Sequence, residues 1–257
     1  MKINEILSES KVRPYKFEDL QIKKAVQLLN THCRESLALI YRPIWRGMSN
    51  HNKPIVYIDA ETGKRKSNNT YNYYTELIDH SPYFKGWPRR SHSLICSTSY
   101  KYASSYSASD TYAIFPFDGT KIAVCPKQDI WETNIRLPSF DVVFTGTNNN
   151  LPRFNWWLRD DLGFSSDEFK SMVVHANSHE ILKRLKRLRI KIPSNQIIPD
   201  LQLALSPQKT GFKLMTIQEF VNTPLTNKEV WIGGKIIAIN KNLYQQFLDA
   251  VTKRNKE

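Results

Sequence analysis

Residues 93–107, SLICSTSYKYASSYS, carry the chain from an apolar strand through a hydroxyl-rich turn into a short helix. Leu94–Ser97 is the short apolar run expected of a buried strand. Ser97-Thr98-Ser99 supplies hydroxyls suited to capping a helix start, and Tyr100–Ala108 reads as that helix. Just downstream, TYAIFPFDGTKIAV (111–124) reads as two strands, Tyr112–Pro116 and Lys121–Val124. Asp118-Gly119 joins them, a dipeptide that favours a tight hairpin turn. Upstream, Ile44–Met48 reads as a strand that follows a turn at Pro43. Asn50–Asn72 is a polar, hairpin-like excursion with Val56–Ile58 as a short strand. Phe17–Cys33 has a helical period, with Ile22, Ala25, Val26, Leu29 and Cys33 on one face and Lys23, Lys24 and Gln27 on the other. Ser165 and Glu168 form a capping-box pattern that opens a helix or broken pair reaching about Arg189. Ile197–Leu205 is ambiguous, Val230–Ile239 reads as a strand pair around Gly233-Gly234, and Lys241–Lys253 as a closing helix. Short strands scattered among helices make the fold class α+β. The reading is a single domain over 1–257, with a helical N-terminal cover at 1–36, a core at 37–240 and a C-terminal helix at 241–257.

The chain has 257 residues, of which 40% are hydrophobic and 12% aromatic, enough for a packed core. Its 37 Lys and Arg against 24 Asp and Glu leave a net charge of +13. Such a surplus attracts polyanions. The longest apolar runs, Leu37–Tyr41 and Trp231–Ile239, fall far short of the ~20 residues of a membrane span. Glu5 and Glu9 interrupt what would be the apolar core of a signal peptide. Cys33, Cys96 and Cys125 show no metal-ligand spacing and cannot all pair, so a reduced, cytoplasmic protein is expected.

Lys183, Arg184, Lys186 and Arg187 form the densest basic cluster, with Leu182, Leu185 and Leu188 or Arg189 as the apolar stripe. It is a candidate contact for nucleic acid or another anionic target, although a solvated helix face is the simpler reading. Trp156, Trp157 and Phe154 beside Arg153 and Arg159 suit base stacking, yet adjacent tryptophans point apart, so core packing is favoured for at least one. His175 and His179 stand four apart, but Ala176 occupies the position where a zinc-protease motif needs Glu. No metal is expected. His32 and Cys33 are helix neighbours that point apart, which excludes a Cys–His pair.

Three further features are weak alone and informative together: Arg46-Gly47 at the end of a strand, Ser97-Thr98-Ser99 at the end of a second, and Glu229 at the head of a third. The segments YRPIWRGMS, SLICSTSYKYASSYS and NKEVWIGGKIIAI, in this order, resemble the R-S-E class of mono-ADP-ribosyltransferases, which includes arginine-modifying toxins. The resemblance runs over roughly Tyr41–Ile239. It implies a split β-sheet core and NAD as co-substrate, with Arg46 gripping a phosphate and Ser97, Thr98 and Ser99 bracing the nicotinamide ribose. Glu229 would be the catalytic carboxylate. The chemistry wants these types independently. Cleaving NAD develops an oxocarbenium-like ribose, which a carboxylate stabilises, and an arginine fork matches a pyrophosphate. Gly47 would let backbone approach the phosphate, and Tyr106 or Tyr102 would stack on nicotinamide. The opening MKINEILSE is similar in texture to tailed-phage proteins, which implies a phage-encoded enzyme acting in the host cytoplasm or delivered with the virion.

The family's protein-modifying members carry Glu or Gln two residues before the catalytic Glu; here the residue is Asn227. An amide orients an acceptor but is no general base. Asn227 and Phe220, on a loop Phe212–Lys228, are the expected acceptor-recognition residues. The function expected is transfer of ADP-ribose from NAD to a protein or nucleic acid, with no membrane partner. The alternatives are a basic nucleic-acid-binding or virion-associated protein, and a degenerate transferase that hydrolyses NAD.

Overall fold

The computed structural model describes residues 16–48, 53–65, 72–107, 110–133, 156–191 and 195–254. Mixed helix and sheet agree with the α+β reading. Nine strands among the described residues form one antiparallel sheet: β1 (Lys16–Asp19), β2 (Ile44–Gly47), β3 (Ile55–Asp59), β4 (Leu94–Ser97), β5 (Thr111–Pro116), β6 (Lys121–Val124), β7 (Lys213–Thr216), β8 (Glu229–Ile232) and β9 (Lys235–Asn240). Their spatial order is β1-β3-β9-β5-β2-β4-β8-β6-β7. The ladder is long everywhere except at its middle. β5 and β9 share five register pairs and β4 and β8 share four, whereas β2 and β4 meet at Trp45↔Ser97 alone. A five-stranded half thus joins a four-stranded half at a narrow seam.

Both glycine turns form where expected, with Gly119 at φ 77° and Gly234 at φ 72°. Neither closes a hairpin. β5 pairs with β2 and β9, while β6 pairs with β7 and β8. Likewise β8 pairs with β4 and β6, and β9 with β3 and β5. Each turn carries the chain from one half to the other, because the tight turn sets only direction and the burial of both strand faces chooses the partners. The residues around Val56–Ile58 are no peripheral hairpin either; β3 lies between β1 and β9.

Helix α1 (Ile22–His32) is shorter than its sequence pattern, because Lys16–Asp19 pairs along β3 as an edge strand. Ala25, Val26, Leu29 and Cys33 are buried as the periodicity requires, whereas Ile22 is exposed. A first core runs along the five-stranded half and one face of the other, with Leu94, Cys96, Val230 and Ile232. Ile95, Ala123 and Trp231, at the alternate positions of the same strands, face a second core. Helices α2 (Tyr73–Asp79), α4 (Ser166–Val174), α5 (His179–Arg187) and α6 (Ile197–Ala204) build that second core. The capping box of Ser165 and Glu168 starts α4, and the ambiguous 197–205 segment is helical. The short α7 (Pro207–Thr210) ends at Gly211, and α9 (Lys241–Arg254) follows β9. All three cysteines are buried free thiols. Among the described residues no helix is long and apolar enough to cross a membrane.

Candidate active site

The seam brings together residues from three distant segments. Trp45 stands opposite Ser97, and Ser97 opposite Glu229, so Arg46, Ser97 and Glu229 lie on three neighbouring strands at one level. All three are buried, at 8%, 3% and 6% exposure. They line one cavity with Trp45, Gly47, Tyr102 and Tyr106. Its volume is about 20 Å³, room for roughly one water.

Arg46 plugs the seam. Extending the Trp45↔Ser97 register would set Ile95 opposite Gly47; instead the Ile95 carbonyl accepts the Arg46 Nη1 hydrogen at 2.5 Å. Burial, then the nearby Arg65 cation, lowers the Arg46 guanidinium to about 10. Gly47 has a packing reason of its own: a Cβ there would run into the Ala103 carbonyl oxygen and lie 3.0 Å from Ser107 Cβ. Gly47 is glycine so that α3 (Tyr100–Ser105) can pack on β2.

The Ser-Thr-Ser hydroxyls also have internal work. Ser97 Oγ accepts from the Ser99 amide at 3.0 Å, and Ser99 Oγ caps α3 by accepting from the Tyr102 amide at 3.3 Å. Thr98 Oγ1 accepts from the Lys228 amide at 2.9 Å, and the Thr98 amide donates to the Lys228 carbonyl. Thr98 therefore ties the approach to Glu229. Tyr102 on α3 and Tyr106, the residue that ends it, close the cavity. Their rings meet edge to face at 4.8 Å, and both hydroxyls donate to Asp129 Oδ2, at 2.9 and 3.4 Å. Burial, reinforced by Asp129, raises both hydroxyls above the ordinary tyrosine range.

Glu229 is held by residues that local sequence pattern does not mark. Its Oε1 accepts from Arg90 Nη2 at 3.3 Å and Trp231 Nε1 at 2.5 Å, and its Oε2 accepts from the Ile130 amide at 3.1 Å. Arg90 is 3% exposed, although its neighbour Arg89 is exposed. Burial opposes the Arg90 charge, but Tyr74, Glu229 and Asp129 outweigh it and hold the guanidinium above its usual range. Asp129 and Ile130 are adjacent, so one peptide unit links the tyrosine latch to the Glu229 carboxylate.

No protein-family model, curated protein or solved structure matches the chain. Asn227 is exposed and left-handed, at φ 52°, so the β8 strand does not extend to it and it is not a same-side neighbour of Glu229. Asn tolerates that conformation well, which gives it a turn-forming role. The segment 212–228 is not one loop but holds β7 and α8 (Ile217–Asn222). Phe212 packs in the second core against Trp231, and Phe220 in the first. Phe220 also lines a separate cavity of about 260 Å³ with Trp45, Thr98, Arg42 and Leu225.

The basic cluster divides. Arg184 is half-buried: it donates to the Leu162 carbonyl at 2.6 Å and to Glu168 at 2.9 Å, and lies 3.8 Å over the Phe164 ring. It is a clasp between α4 and α5, not a free phosphate contact. Lys183 faces Glu180 at 3.4 Å, and Lys186 and Arg187 are exposed. Leu188 is exposed too, outside the expected stripe. Trp157 is buried and Trp156 exposed, while Arg153 and Phe154 lie outside the described residues. His175 and His179 straddle the break between α4 and α5. Among the described residues no group of three or more His, Cys, Asp or Glu could hold a metal.

Proposed function

We propose that the chain is an NAD-dependent mono-ADP-ribosyltransferase whose site opens by displacement of α3. The observation that carries this reading is the meeting of Arg46, Ser97 and Glu229 on adjacent strands around one cavity. In the proposed reaction the nicotinamide–ribose bond breaks with its electron pair leaving on nicotinamide, and an acceptor nucleophile bonds to the ribose carbon and releases its proton to solvent. Glu229, gripping a ribose hydroxyl, stabilises the cationic ribose between those events. Three donors occupy Glu229, and a carboxylate accepts about four, leaving one acceptor direction for that hydroxyl. The +13 charge suits an anionic acceptor, protein or nucleic acid.

A dinucleotide needs a pocket of several hundred Å³, so the cavity of about 20 Å³ does not admit NAD as it stands. Release of Tyr102 and Tyr106 from Asp129 is the opening step this reading requires. The same small cavity favours a second reading, a degenerate transferase fold that binds no NAD and works as a basic binding protein. Incubation of the full chain with labelled NAD and cell lysate, tracking nicotinamide release and label in protein or nucleic acid, separates the two. The transferase reading expects release that Glu229→Gln lowers on the order of 10²-fold or more; no release and no calorimetric NAD binding would establish the second.

A further inference from the structure

We propose that Arg90 is the positioning residue of the site, holding the Glu229 carboxylate at the seam for the reaction above; the proposal rests on that transferase reading. Arg90 reaches Glu229 from across the second core. Its guanidinium lies 4.9 Å from the Tyr74 ring and 5.6 Å from the Trp231 ring, while Nη1 donates to Thr75 Oγ1 at 3.3 Å and Nη2 to Glu229 Oε1 at 3.3 Å. Tyr74, Thr75 and Trp231 are each nearly or fully buried. The cation is thereby fixed in plane and direction, an arrangement Lys cannot copy.

This fixing bears on the chemistry through geometry. Arg90 and the Trp231 indole both grip Oε1, and the Ile130 amide grips Oε2. The carboxylate then cannot rotate, and its remaining acceptor direction is pre-set. A carboxylate aimed in advance at a developing cation favours the transition state over the bound substrate. Loss of Arg90 should therefore act on kcat and leave the KM for NAD nearly unchanged, a split that general loosening of the fold does not produce.

The test uses the full chain, NAD, a nicotinamide-release assay and the indole ¹⁵N–H resonance of Trp231, assigned with Trp231→Phe. Arg90→Lys should lower kcat by about tenfold or more with KM within about twofold, and should shift the Trp231 resonance. Arg90→Gln should lose more than Arg90→Lys. Thr75→Val keeps volume and removes one Arg90 contact; a kcat reduced severalfold with unchanged KM is expected. Folded Arg90 variants with wild-type kcat overturn the proposal while the transferase reading stands. If the Arg90 variants do not fold, Thr75→Val decides, and an unchanged kcat there overturns it. A wild-type chain that releases no nicotinamide brings down the transferase reading first and this assignment with it.

Discussion

The seam and the basic face of α5 both concentrate charge, and they treat it in opposite ways. On α5 the charges are neighbours in sequence and mostly face solvent; only Arg184, on Glu168, Phe164 and the Leu162 carbonyl, is built into the fold. At the seam Arg46, Arg90 and Glu229 come from segments far apart in sequence and are all buried. Burying a charge is costly unless it is paired and hydrogen-bonded, so each seam charge needs specific partners. Exposed charges need none. Density of charge along the chain is therefore a poor guide to a site, and burial of charge is a better one.

The largest expected effect breaks the seam directly. Glu229→Ala strands the buried Arg90 cation, and removal of one partner of such a pair costs about 3–5 kcal/mol; chemical denaturation measures it. The milder Glu229→Gln should keep the fold and lower nicotinamide release on the order of 10²-fold or more. Next comes Gly47→Ala. Its Cβ forces α3 away from β2, which should destabilise by about 1–3 kcal/mol and raise hydrogen exchange across 100–106. If exchange there stays at the wild-type level, α3 is not the element that gates the cavity.

Smaller effects sharpen the contrast. Arg184→Gln should cost about 1–2 kcal/mol through its carbonyl bond and ring contact. Lys186→Gln with Arg187→Gln should change stability by less than about 0.5 kcal/mol, while weakening salt-sensitive binding to an anionic target. Equal losses from both would erase the distinction within α5. The smallest effect lies at alkaline pH. Tyr102 and Tyr106 are held neutral above the ordinary value of 10.0, first by burial and then by Asp129. The stability they contribute is complete below pH 10 and is lost as pH rises beyond it. Tyr106→Phe should make that alkaline loss shallower, read by tyrosinate absorbance alongside unfolding.

The individual strands were legible because each is a short apolar run between turn residues: Leu94–Ser97, Lys121–Val124 and the strand headed by Glu229 lie where the pattern puts them. Their partners were not. Asp118-Gly119 and Gly233-Gly234 look the same whether a turn closes a hairpin or hands the chain to another part of the sheet. Arg46, Ser97 and Glu229 were identified by resemblance, and the structure sets them together. Arg90 and Asp129 were invisible: one sits in the polar run PRRSHS beside an exposed arginine, the other in PKQD, and only long-range packing tells them from their neighbours. The packing of helix α3 against Gly47 was likewise invisible, because Ala103 and Ser107 lie more than fifty residues away in sequence.

Because β9 fills the middle of the five-stranded half, that half stays incomplete during synthesis until residue 240 has left the ribosome. Before then β3 and β5 each lack the neighbour that sits between them, and β2 has no finished sheet to lean on. The chain passes between the two halves four times, so neither half can be cut away as a self-sufficient fragment. Chains truncated just before Lys235 would retain Arg46, Ser97 and Glu229 but lack the strand that joins β3 to β5.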